Sequence, residues 1–252
     1  MSDDGFEAVS AACADIGWPP AQVVPVTGST NDDLSGVAGH GRVLIALEQT
    51  GGHGRMGRSW VSRPGEGLTF SVRLDVPATV RNWGWIPLLA GVAVADAVRA
   101  CGTQGIGVKW PNDVVAGSGK LAGILSVRDA DSAIVGIGIN LRFAGERPDP
   151  NATSVAEHGG DPQADPLLAR VIRGLDSWWQ RWTGAGGDAA RCGLRDAYLQ
   201  QCVTIGADVE VSAADARFSG RAVDIDDAGM LVVDSGGEAV KVAAADVTLT
   251  GQ

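Results

Sequence analysis

Residues 49–60 combine four glycines and two arginines, and the hydrophobic period of a helix or strand is lost across them. Glycine adopts backbone conformations that other residues avoid and lets backbone N–H groups approach a ligand closely. Arginine presents a planar fork of donors that suits carboxylate and phosphate groups. Because this segment follows a predicted strand, residues 42–47, the chain must fold so that an anion-wrapping loop leaves the end of a strand.

The composition excludes several classes of protein. With 252 residues, 45% of them hydrophobic, the chain can bury a substantial core as one large domain or one large and one small. No apolar run reaches the ~18 residues of a membrane span, and the acidic start is unlike a signal peptide, so a cytoplasmic location without membrane contact is expected. The net charge of −10 argues against broad nucleic-acid binding, including DNA.

The four cysteines show no pattern of a metal site or a disulfide framework. Cys13, Cys101, Cys192 and Cys202 are scattered along the chain, without a C-x-x-C or Cys/His spacing. All four are therefore predicted to be buried thiols.

Hydrophobic periodicity divides the chain into two regions. The first, residues 1–202, is predicted to be an α+β domain with a central mixed or antiparallel sheet covered by helices. Its predicted helices are residues 5–17, 31–37, 83–100, 165–182 and 188–201, and its predicted strands are residues 22–26, 42–47, 68–74, 107–110, 113–116, 121–128 and 133–141. The second, residues 203–252, has short strands separated by hairpin signals and is predicted to be a small SH3-like β-barrel whose first strand is residues 203–211.

Two nucleotide-binding motifs come close to matching, and both fail. Residues 52–57 read G-x-G-x-x-G after a strand, but a Pro and a Gly follow within residues 59–65 and another strand comes next. No helix is therefore available to receive a dinucleotide phosphate. Residues 117–120 read G-S-G-K, but a Walker loop would need glycine at Val114 and Ser or Thr at Leu121.

The remaining candidates are cations, one carboxylate and several polar side chains beside turns. Lys109, Asn112 and Asp113 flank a Pro-containing turn, and Asp113 is a candidate ligand for Mg²⁺, which takes one or two carboxylates with phosphate oxygens and water. Turn chemistry alone explains the Asn-Asp pair equally well. Asn140 either reaches a phosphate or caps a turn, and Ser29 either contacts a ligand or only caps a short helix.

In this order the motifs resemble those of one family, the biotin protein ligases. The motifs are Gly28-Ser29-Thr30-Asn31, Gly52-His53-Gly54-Arg55-Met56-Gly57-Arg58-Ser59-Trp60, Lys109-Trp110-Pro111-Asn112-Asp113, Lys120-Leu121-Ala122-Gly123-Ile124-Leu125 and Gly136-Ile137-Gly138-Ile139-Asn140. About twenty residues precede the first predicted strand of the resemblance, and a helix-turn-helix needs roughly sixty. The chain therefore resembles the monofunctional type, which lacks an N-terminal DNA-binding domain.

The resemblance implies a fold and a reaction. Residues 1–202 would be the class II synthetase-like catalytic domain that binds biotin and ATP, and residues 203–252 the family's C-terminal SH3-like domain. Biotin and Mg²⁺-ATP would give biotinyl-5′-adenylate and pyrophosphate, and an acceptor lysine would then take the biotinyl group as an amide. The implied acceptor is the biotin carboxyl carrier domain of a carboxylase such as an acyl-CoA or pyruvate carboxylase, and the enzyme would be a monomer or weak homodimer.

The resemblance also implies a biotin site. The residues expected there are Ser29, Thr30, Asn31, Gln49, His53, Gly54, Arg55, Lys120 and Gly123. Ser29, Thr30 and Gln49 would face the ureido end of biotin, while the backbone of His53 and Gly54 would close over the ligand.

A neighbouring ATP and adenylate site is implied in the same way, by Arg55, Arg58, Trp60, Lys109, Asn112, Lys120 and Asn140. Arg55 would hold the adenylate phosphate, and Arg58 and Asn140 the outer phosphates. Lys109 would lie near the reacting carbonyl and the α-phosphate, with Lys120 beside the biotinyl carboxylate. Two anions must react with each other here, so cations have to be in place before the charges meet.

The catalytic set implied by the resemblance is Lys109, Asp113, Lys120 and Arg55. For Asp113 the hypothesis is that it binds Mg²⁺ and helps to deprotonate the acceptor lysine. His53 departs from the family, since many relatives carry arginine at this position. Biotin affinity would then depend on pH near neutrality if a side-chain charge orders the loop, and would change little if the contact is made by the backbone.

The loop and two alternative functions complete the expectations. Residues 49–66 are long for a structureless connection and are predicted to order over the ligands, excluding water from the activated acyl group. A lipoate or octanoate ligase or transferase shares the related fold, but its own arginine and glycine signature is not found. A non-enzymatic biotin or adenylate sensor would be expected to lack the lysines or Asp113, and all of them are present.

Overall fold

A computed structural model of the chain describes residues 5–147, 149–212, 217–243 and 245–250. The helices are α1 (Glu7–Asp15), α2 (Thr30–Leu34), α3 (Trp85–Ala100), α4 (Ala164–Gly184) and α5 (Leu194–Leu199). The strands are β1 (Gln22–Thr27), β2 (Arg42–His53), β3 (Ser59–Ser62), β4 (Gly67–Asp75), β5 (Ile106–Lys109), β6 (Asp113–Ala116), β7 (Gly119–Asp129), β8 (Ser132–Asn140), β9 (Asp208–Ser212), β10 (Arg217–Ile225), β11 (Leu231–Ser235), β12 (Glu238–Val242) and β13 (Asp246–Thr250). Short 3₁₀ turns lie at Arg55–Gly57 and Ala156–His158.

The first sheet is mixed, which confirms the predicted α+β class. Its strands run in the order β1-β2-β4-β8-β7-β6-β5, with β3 paired to β2 beside this path. The β1–β2 pair is parallel and the other pairs are antiparallel. Alternating strand residues such as Phe70, Val72 and Ile137 point to one face, where they form the main core with α1, α3 and α4.

The helices on that face pack closely. Twelve of the sixteen residues of α3 are buried, because the sheet covers one side of the helix and α4 another. Gly174 of α4 permits this approach, since a Cβ there would lie 3.4 Å from the Cβ of Ala93 in α3. Asp165 at the start of α4 accepts hydrogen bonds from the backbone N–H groups of Ala8 and Val9, at 2.9 and 2.8 Å, and so satisfies the N-terminus of α1.

The opposite face of the first sheet is only partly covered. The short helix α2 packs there through Leu34, which contacts Leu44 and Ile134 in a separate small apolar cluster. Beyond this cluster the face carries glycines and polar residues and is left open.

The second sheet is antiparallel, with five strands in the order β12-β11-β10-β9-β13. This agrees with an SH3-like domain. Among the residues that the structure describes, the pairing is an open path with no closed barrel, and residues 213–216 and Ala244 lie outside the described part.

Indole N–H groups fasten the second sheet to the first region. The Nε1 atoms of Trp85 and Trp110 each donate a hydrogen bond of 3.0 Å, to the carbonyl oxygens of Asp227 and Gly229 respectively. Both acceptors lie in the turn between β10 and β11. Backbone meets backbone here, because a Cβ on Gly84 would lie 2.3 Å from the carbonyl oxygen of Ala228.

Several sequence predictions need correction. The segment 49–66 is not structureless: β2 extends to His53 and pairs with β3 to form a hairpin. The predicted helix 188–201 is reduced to α5, because Gly193, with φ of +78°, interrupts it. The first strand of the second sheet begins at Asp208 instead of residue 203. Cys101 and Cys192 are partly exposed thiols, whereas Cys13 and Cys202 are buried as predicted.

No helix in the described residues is both long enough and apolar enough to cross a bilayer.

The start of α2 also differs from the prediction. The helix begins at Thr30, because Ser29 caps it and accepts a hydrogen bond from the backbone N–H of Asp32 at 3.4 Å.

The contact between the sheets predicts that alanine destabilises the protein more at Gly229 than at Gly236. Gly229 and Gly236 both have positive φ, +81° and +67°, so alanine at either position costs about 1 kcal/mol of backbone strain. At Gly229 the new Cβ would also lie 2.8 Å from the backbone of Gly84, whereas nothing lies within 4 Å of a Cβ at Gly236. We expect Gly229→Ala to lower the free energy of unfolding by about 1–3 kcal/mol more than Gly236→Ala, measured by urea denaturation. Equal losses would contradict the close contact.

Candidate functional site

A cleft of about 960 Å³ opens on the uncovered face of the first sheet. Its walls come from α2, the β2–β3 hairpin, the turn between β5 and β6, strands β7 and β8, and strand β13 of the second sheet. The fifteen residues that the sequence predicted for biotin, ATP or metal all line it: Ser29, Thr30, Asn31, Gln49, His53, Gly54, Arg55, Arg58, Trp60, Lys109, Asn112, Asp113, Lys120, Gly123 and Asn140.

The floor of the cleft consists of glycines on adjacent strands. Gly138 of β8 is in register with Gly123 of β7 on one side and Thr69 of β4 on the other. The indole of Trp60 lies over this row, because a Cβ on Gly138 would be 2.1 Å from the ring and one on Gly123 would be 3.1 Å from it. The absence of side chains at Gly123 and Gly138 therefore creates the space that the Trp60 indole occupies.

One end of the cleft is polar and buried. Thr30 and Gln49 are 2% and 8% exposed, and the backbone N–H of Thr30 donates to Gln49 Oε1 at 2.9 Å. Gly51 continues the strand pairing into the hairpin by donating its N–H to the carbonyl oxygen of Gly28 at 2.8 Å. These contacts bring α2 and β2 together although about twenty residues separate them along the chain.

The middle of the cleft holds an ion pair. Lys120 Nζ lies 2.6 Å from Asp113 Oδ1, with the two side chains 35% and 23% exposed, and it also lies 5.9 Å from the centre of the Trp60 ring. Lys109 is the register partner of Asp113 on β5. Asn112 is held by Ile124 through two hydrogen bonds of 2.8 and 2.9 Å.

Two arginines project from the hairpin at the mouth of the cleft. Arg58 forms an ion pair with Asp246 of β13. Burial lowers the pKa of the Arg55 guanidinium, and neighbouring Arg58 lowers it further, while the charges of Asp246 and Asp113 raise it. The turn between the arginines is tight, since Met56 has φ of +56° and its side chain is exposed. The arginines are therefore cations held beside carboxylates at the entrance.

His53 lines the cleft from the hairpin and faces α2. Its Nε2 lies 3.2 Å from Asp32 Oδ2 of α2, and both side chains are mostly exposed, at 60% and 67%. When the imidazole is protonated, this contact is an ion pair between the hairpin and α2.

Asn140 braces the site from behind. Its Nδ2 donates to the carbonyl oxygens of Lys120 and Thr153 at 3.3 and 3.0 Å, while the Lys120 N–H donates to the carbonyl oxygen of Asn151 at 2.7 Å. The assignment of Asn140 to the outer phosphates stays a prediction. The sequence analysis did not predict the contribution of residues 151–153, because no motif marks them.

Other residues around the cleft were also missed. Asp246 lines it beside the arginines, and Ser71 lies fully buried behind Thr30, with Oγ atoms 2.6 Å apart. An ordinary serine in a strand and an aspartate at the start of a distant strand carry no local signal of a site. Across the described ranges, no group of three or more His, Cys, Asp or Glu side chains could hold a metal, so a metal at Asp113 would rely on ligands from a bound nucleotide.

Comparisons with known proteins agree on one family. Residues 22–143 match the biotin/lipoate A/B protein ligase family. The chain is 40% identical over 247 residues to a biotin--[acetyl-CoA-carboxylase] ligase from Mycobacterium tuberculosis, covering 93% of this chain and 90% of that protein. It is 30% identical over 246 residues to the ligase of the same name from Paracoccus denitrificans, covering 89% and 98%. Its structure resembles the Aquifex aeolicus biotin protein ligase in complex with biotin and ATP, with a TM-score of 0.78, 25% identity and coverage of 92% and 99%.

The contact between the hairpin and β13 predicts a change in protease sensitivity. Asp246→Asn removes the charge that holds Arg58 but keeps the shape of the side chain. An exposed ion pair contributes about 0.5–1 kcal/mol, so we expect trypsin to cleave after Arg55 and Arg58 roughly two- to five-fold faster, as followed by mass spectrometry. Asp208→Asn is the control, since Asp208 pairs with Arg221 in the same sheet but away from the cleft. Identical cleavage rates in the two variants would show that the Arg58–Asp246 ion pair does not restrain the hairpin.

Proposed function

Because this chain belongs to the biotin protein ligase family, we propose that its cleft binds biotin and ATP together and carries out the two reactions of that family. The enzyme joins biotin to ATP to form biotinyl-5′-adenylate, and it transfers the biotinyl group to a lysine of a biotin carboxyl carrier domain. The observation that carries this proposal is the convergence of Arg55, Arg58, Lys109 and Lys120 on one cleft, beside the Trp60 indole that rests on a row of glycines.

The first step joins two anions. A carboxylate oxygen of biotin attacks the α-phosphorus of ATP, a new O–P bond forms, and the bond from the α-phosphorus to the bridging oxygen breaks to release pyrophosphate. Repulsion between the carboxylate and the phosphates opposes this approach unless cations are fixed in advance. We assign Lys120 to the biotin carboxylate, Lys109 to the α-phosphate, Arg55 to the adenylate phosphate and Arg58 to the outer phosphates.

Carboxylates hold two of these cations before the substrates arrive. Asp113 holds Lys120 at 2.6 Å, and Asp246 holds Arg58. These ion pairs keep the two cations oriented inside the cleft. Substrate oxygens then replace or share these partners, so little reorganisation is required. Asp113 is the carboxylate that would hold Mg²⁺ together with oxygens of the nucleotide, and the ion would neutralise part of the phosphate charge.

The second step consumes the adenylate. The acceptor amine attacks the acyl carbon, an amide bond forms, AMP leaves with the bridging oxygen, and the amine gives up a proton. Asp113 is our candidate to receive that proton, because it is the carboxylate in the middle of the cleft. The hairpin of residues 49–62 forms one wall of the cleft, and from there it would limit the access of water to the mixed anhydride.

The remaining assignments follow the same reading. We assign residues 1–202 to the catalytic domain and residues 203–252 to the C-terminal domain, consistent with the division into two sheets. The acceptor is the carrier domain of an acyl-CoA or pyruvate carboxylase, and the enzyme works as a monomer or weak homodimer without DNA. Free thiols at all four cysteines agree with a reducing cytoplasm.

The function is tested by transfer of labelled biotin to a carrier domain. Label should reach the carrier when ATP is supplied and should stay free when ATP is omitted. Excess octanoate or lipoate should leave the transfer unchanged, whereas competition by either would favour the lipoate branch of the family. Binding of biotin without any transfer would instead favour a sensor.

The proposed role of Lys120 predicts that removing its charge slows adenylate formation while the protein remains folded. In Lys120→Met we expect adenylate formation, measured as pyrophosphate release, to fall about 10²- to 10³-fold, the loss typical of one preorganised electrostatic contact. Lys241→Met is the control, because Lys241 pairs with Asp226 at 2.9 Å in the second sheet and lies outside the cleft. Its activity should stay within about two-fold of the unsubstituted enzyme, as expected for an exposed pair. Equal activity of the two variants would remove Lys120 from the reaction.

The His53–Asp32 contact predicts that the side chain of His53 contributes to biotin affinity. The contact links the hairpin to α2, and both elements line the cleft. We expect His53→Ala to weaken biotin binding roughly two- to five-fold, the size of an exposed pair, as measured by calorimetry. His53→Arg should keep the affinity of the unsubstituted enzyme, because arginine can also pair with Asp32. Unchanged affinity in His53→Ala would show that the backbone alone makes the contact with biotin.

A further inference from the structure

We propose that Ser71 is a specificity-determining positioning residue: through a buried chain of hydrogen bonds it fixes which way the hydroxyl of Thr30 points its proton. Thr30 then presents a lone pair to the ligand, and Gln49 presents N–H donors. The inference rests on the proposed function, since it names how the same cleft selects the cyclic urea of biotin.

The chain of hydrogen bonds crosses three strands. Ser71 of β4 is in register with Gly136 of β8, which is in register with Leu125 of β7. The side chain of Asn31 lies across this row, because a Cβ on Gly136 would be only 2.4 Å from Asn31 Oδ1. Asn31 therefore spans from Ser71 on one side of Gly136 to the backbone of Leu125 on the other.

The direction of each hydrogen bond follows from counting protons. Asn31 Nδ2 donates to the carbonyl oxygen of Leu125 at 3.3 Å, which turns Asn31 Oδ1 toward Ser71. An amide oxygen only accepts, so the Ser71 hydroxyl must donate to it, over 2.6 Å. A serine hydroxyl has one proton, and Ser71 Oγ must therefore accept from Thr30 Oγ1, also at 2.6 Å.

Thr30 is left without a proton to offer. Its hydroxyl proton is directed at Ser71, so the 3.2 Å approach of Thr30 Oγ1 to Gln49 Oε1 places two acceptors together and is not a strong hydrogen bond. Thr30 lines the cleft, whereas Ser71 is fully buried behind it. A ligand at this end consequently meets an oxygen that accepts from an N–H group.

Gln49 supplies the complementary group. Its Oε1 accepts the backbone N–H of Thr30 at 2.9 Å, and this fixes the orientation of the amide because a backbone N–H only donates. Gln49 Nε2 is thereby directed at the hairpin, where a Cβ on Gly52 would lie 2.1 Å from it. The amide N–H groups are donors for a carbonyl oxygen.

Together the two residues form a pattern of one acceptor and neighbouring donors in a buried pocket. A cyclic urea matches it with an N–H group and a carbonyl oxygen. A dithiolane ring or an alkyl chain offers neither group and would leave the buried polar atoms without partners, which is costly. Ser71 thus affects selection without touching the ligand.

The experiment compares biotin with two carbamate analogues, in each of which one ureido N–H is replaced by a ring oxygen. In the unsubstituted enzyme, the analogue with its oxygen toward Thr30 meets a lone pair and should bind much more weakly than biotin. In Ser71→Ala the Thr30 hydroxyl is free to turn and donate to that oxygen. We expect the ratio of the two dissociation constants, measured by calorimetry, to fall about ten-fold, while the other analogue shows no such change.

Two further variants separate this mechanism from general damage. Asn31→Ala removes the acceptor that fixes Ser71 and should reduce the same ratio. Ser132→Ala is the matched control, because Ser132 is a buried serine of the same sheet whose hydroxyl donates to Asp75 at 2.8 Å and so lies outside the hydrogen bonds that run from Thr30 to Asn31. Its ratio should equal that of the unsubstituted enzyme.

The outcomes are distinguishable. An unchanged ratio in Ser71→Ala and Asn31→Ala, or an equal weakening of biotin and both analogues, overturns the role of Ser71 and leaves the proposed function intact. Failure of the unsubstituted enzyme to bind biotin at all overturns the proposed function together with the inference.

Discussion

The site depends on a strip of sheet that carries no side chains. Gly136 and Gly138 are two residues apart in β8, so both lie on the face of the sheet opposite α1, α3 and α4. Asn31 occupies the space above the first, and Trp60 the space above the second. A side chain at either position would displace α2 or the hairpin, and the cleft would lose one of its walls. The polar end and the aromatic cover therefore both follow from two missing Cβ atoms in one strand.

Carboxylates around this strip lower the cost of placing cations in a half-buried cleft. The cleft must gather cations in a chain with a net charge of −10, and unpaired cations in a half-buried site would be poorly solvated. Asp113 and Asp246 relieve that cost from two different sheets. They also keep the cations at fixed positions, which is the preorganisation that a reaction between two anions requires.

Much of the site was readable from the sequence because its residues lie in short local motifs. The loop of residues 52–60, the Lys109–Asp113 turn and the strand that ends at Asn140 each carry a recognisable pattern, and all of them line the cleft. The mixed sheet was also predictable from hydrophobic alternation. The hairpin was not, because glycines hide the period of a strand while leaving its backbone pairing intact. Ser71 and Asp246 escaped since their roles arise from register and from docking between sheets, which no local pattern encodes.

The contact between Arg58 and Asp246 joins residues 188 positions apart in the chain. During synthesis on the ribosome, the hairpin emerges long before the strand that supplies its counter-ion. In that interval the strip of glycines and the two arginines are present, but the carboxylate of β13 is not. Arg58 consequently has no β13 carboxylate to pair with until almost the whole chain has been synthesised.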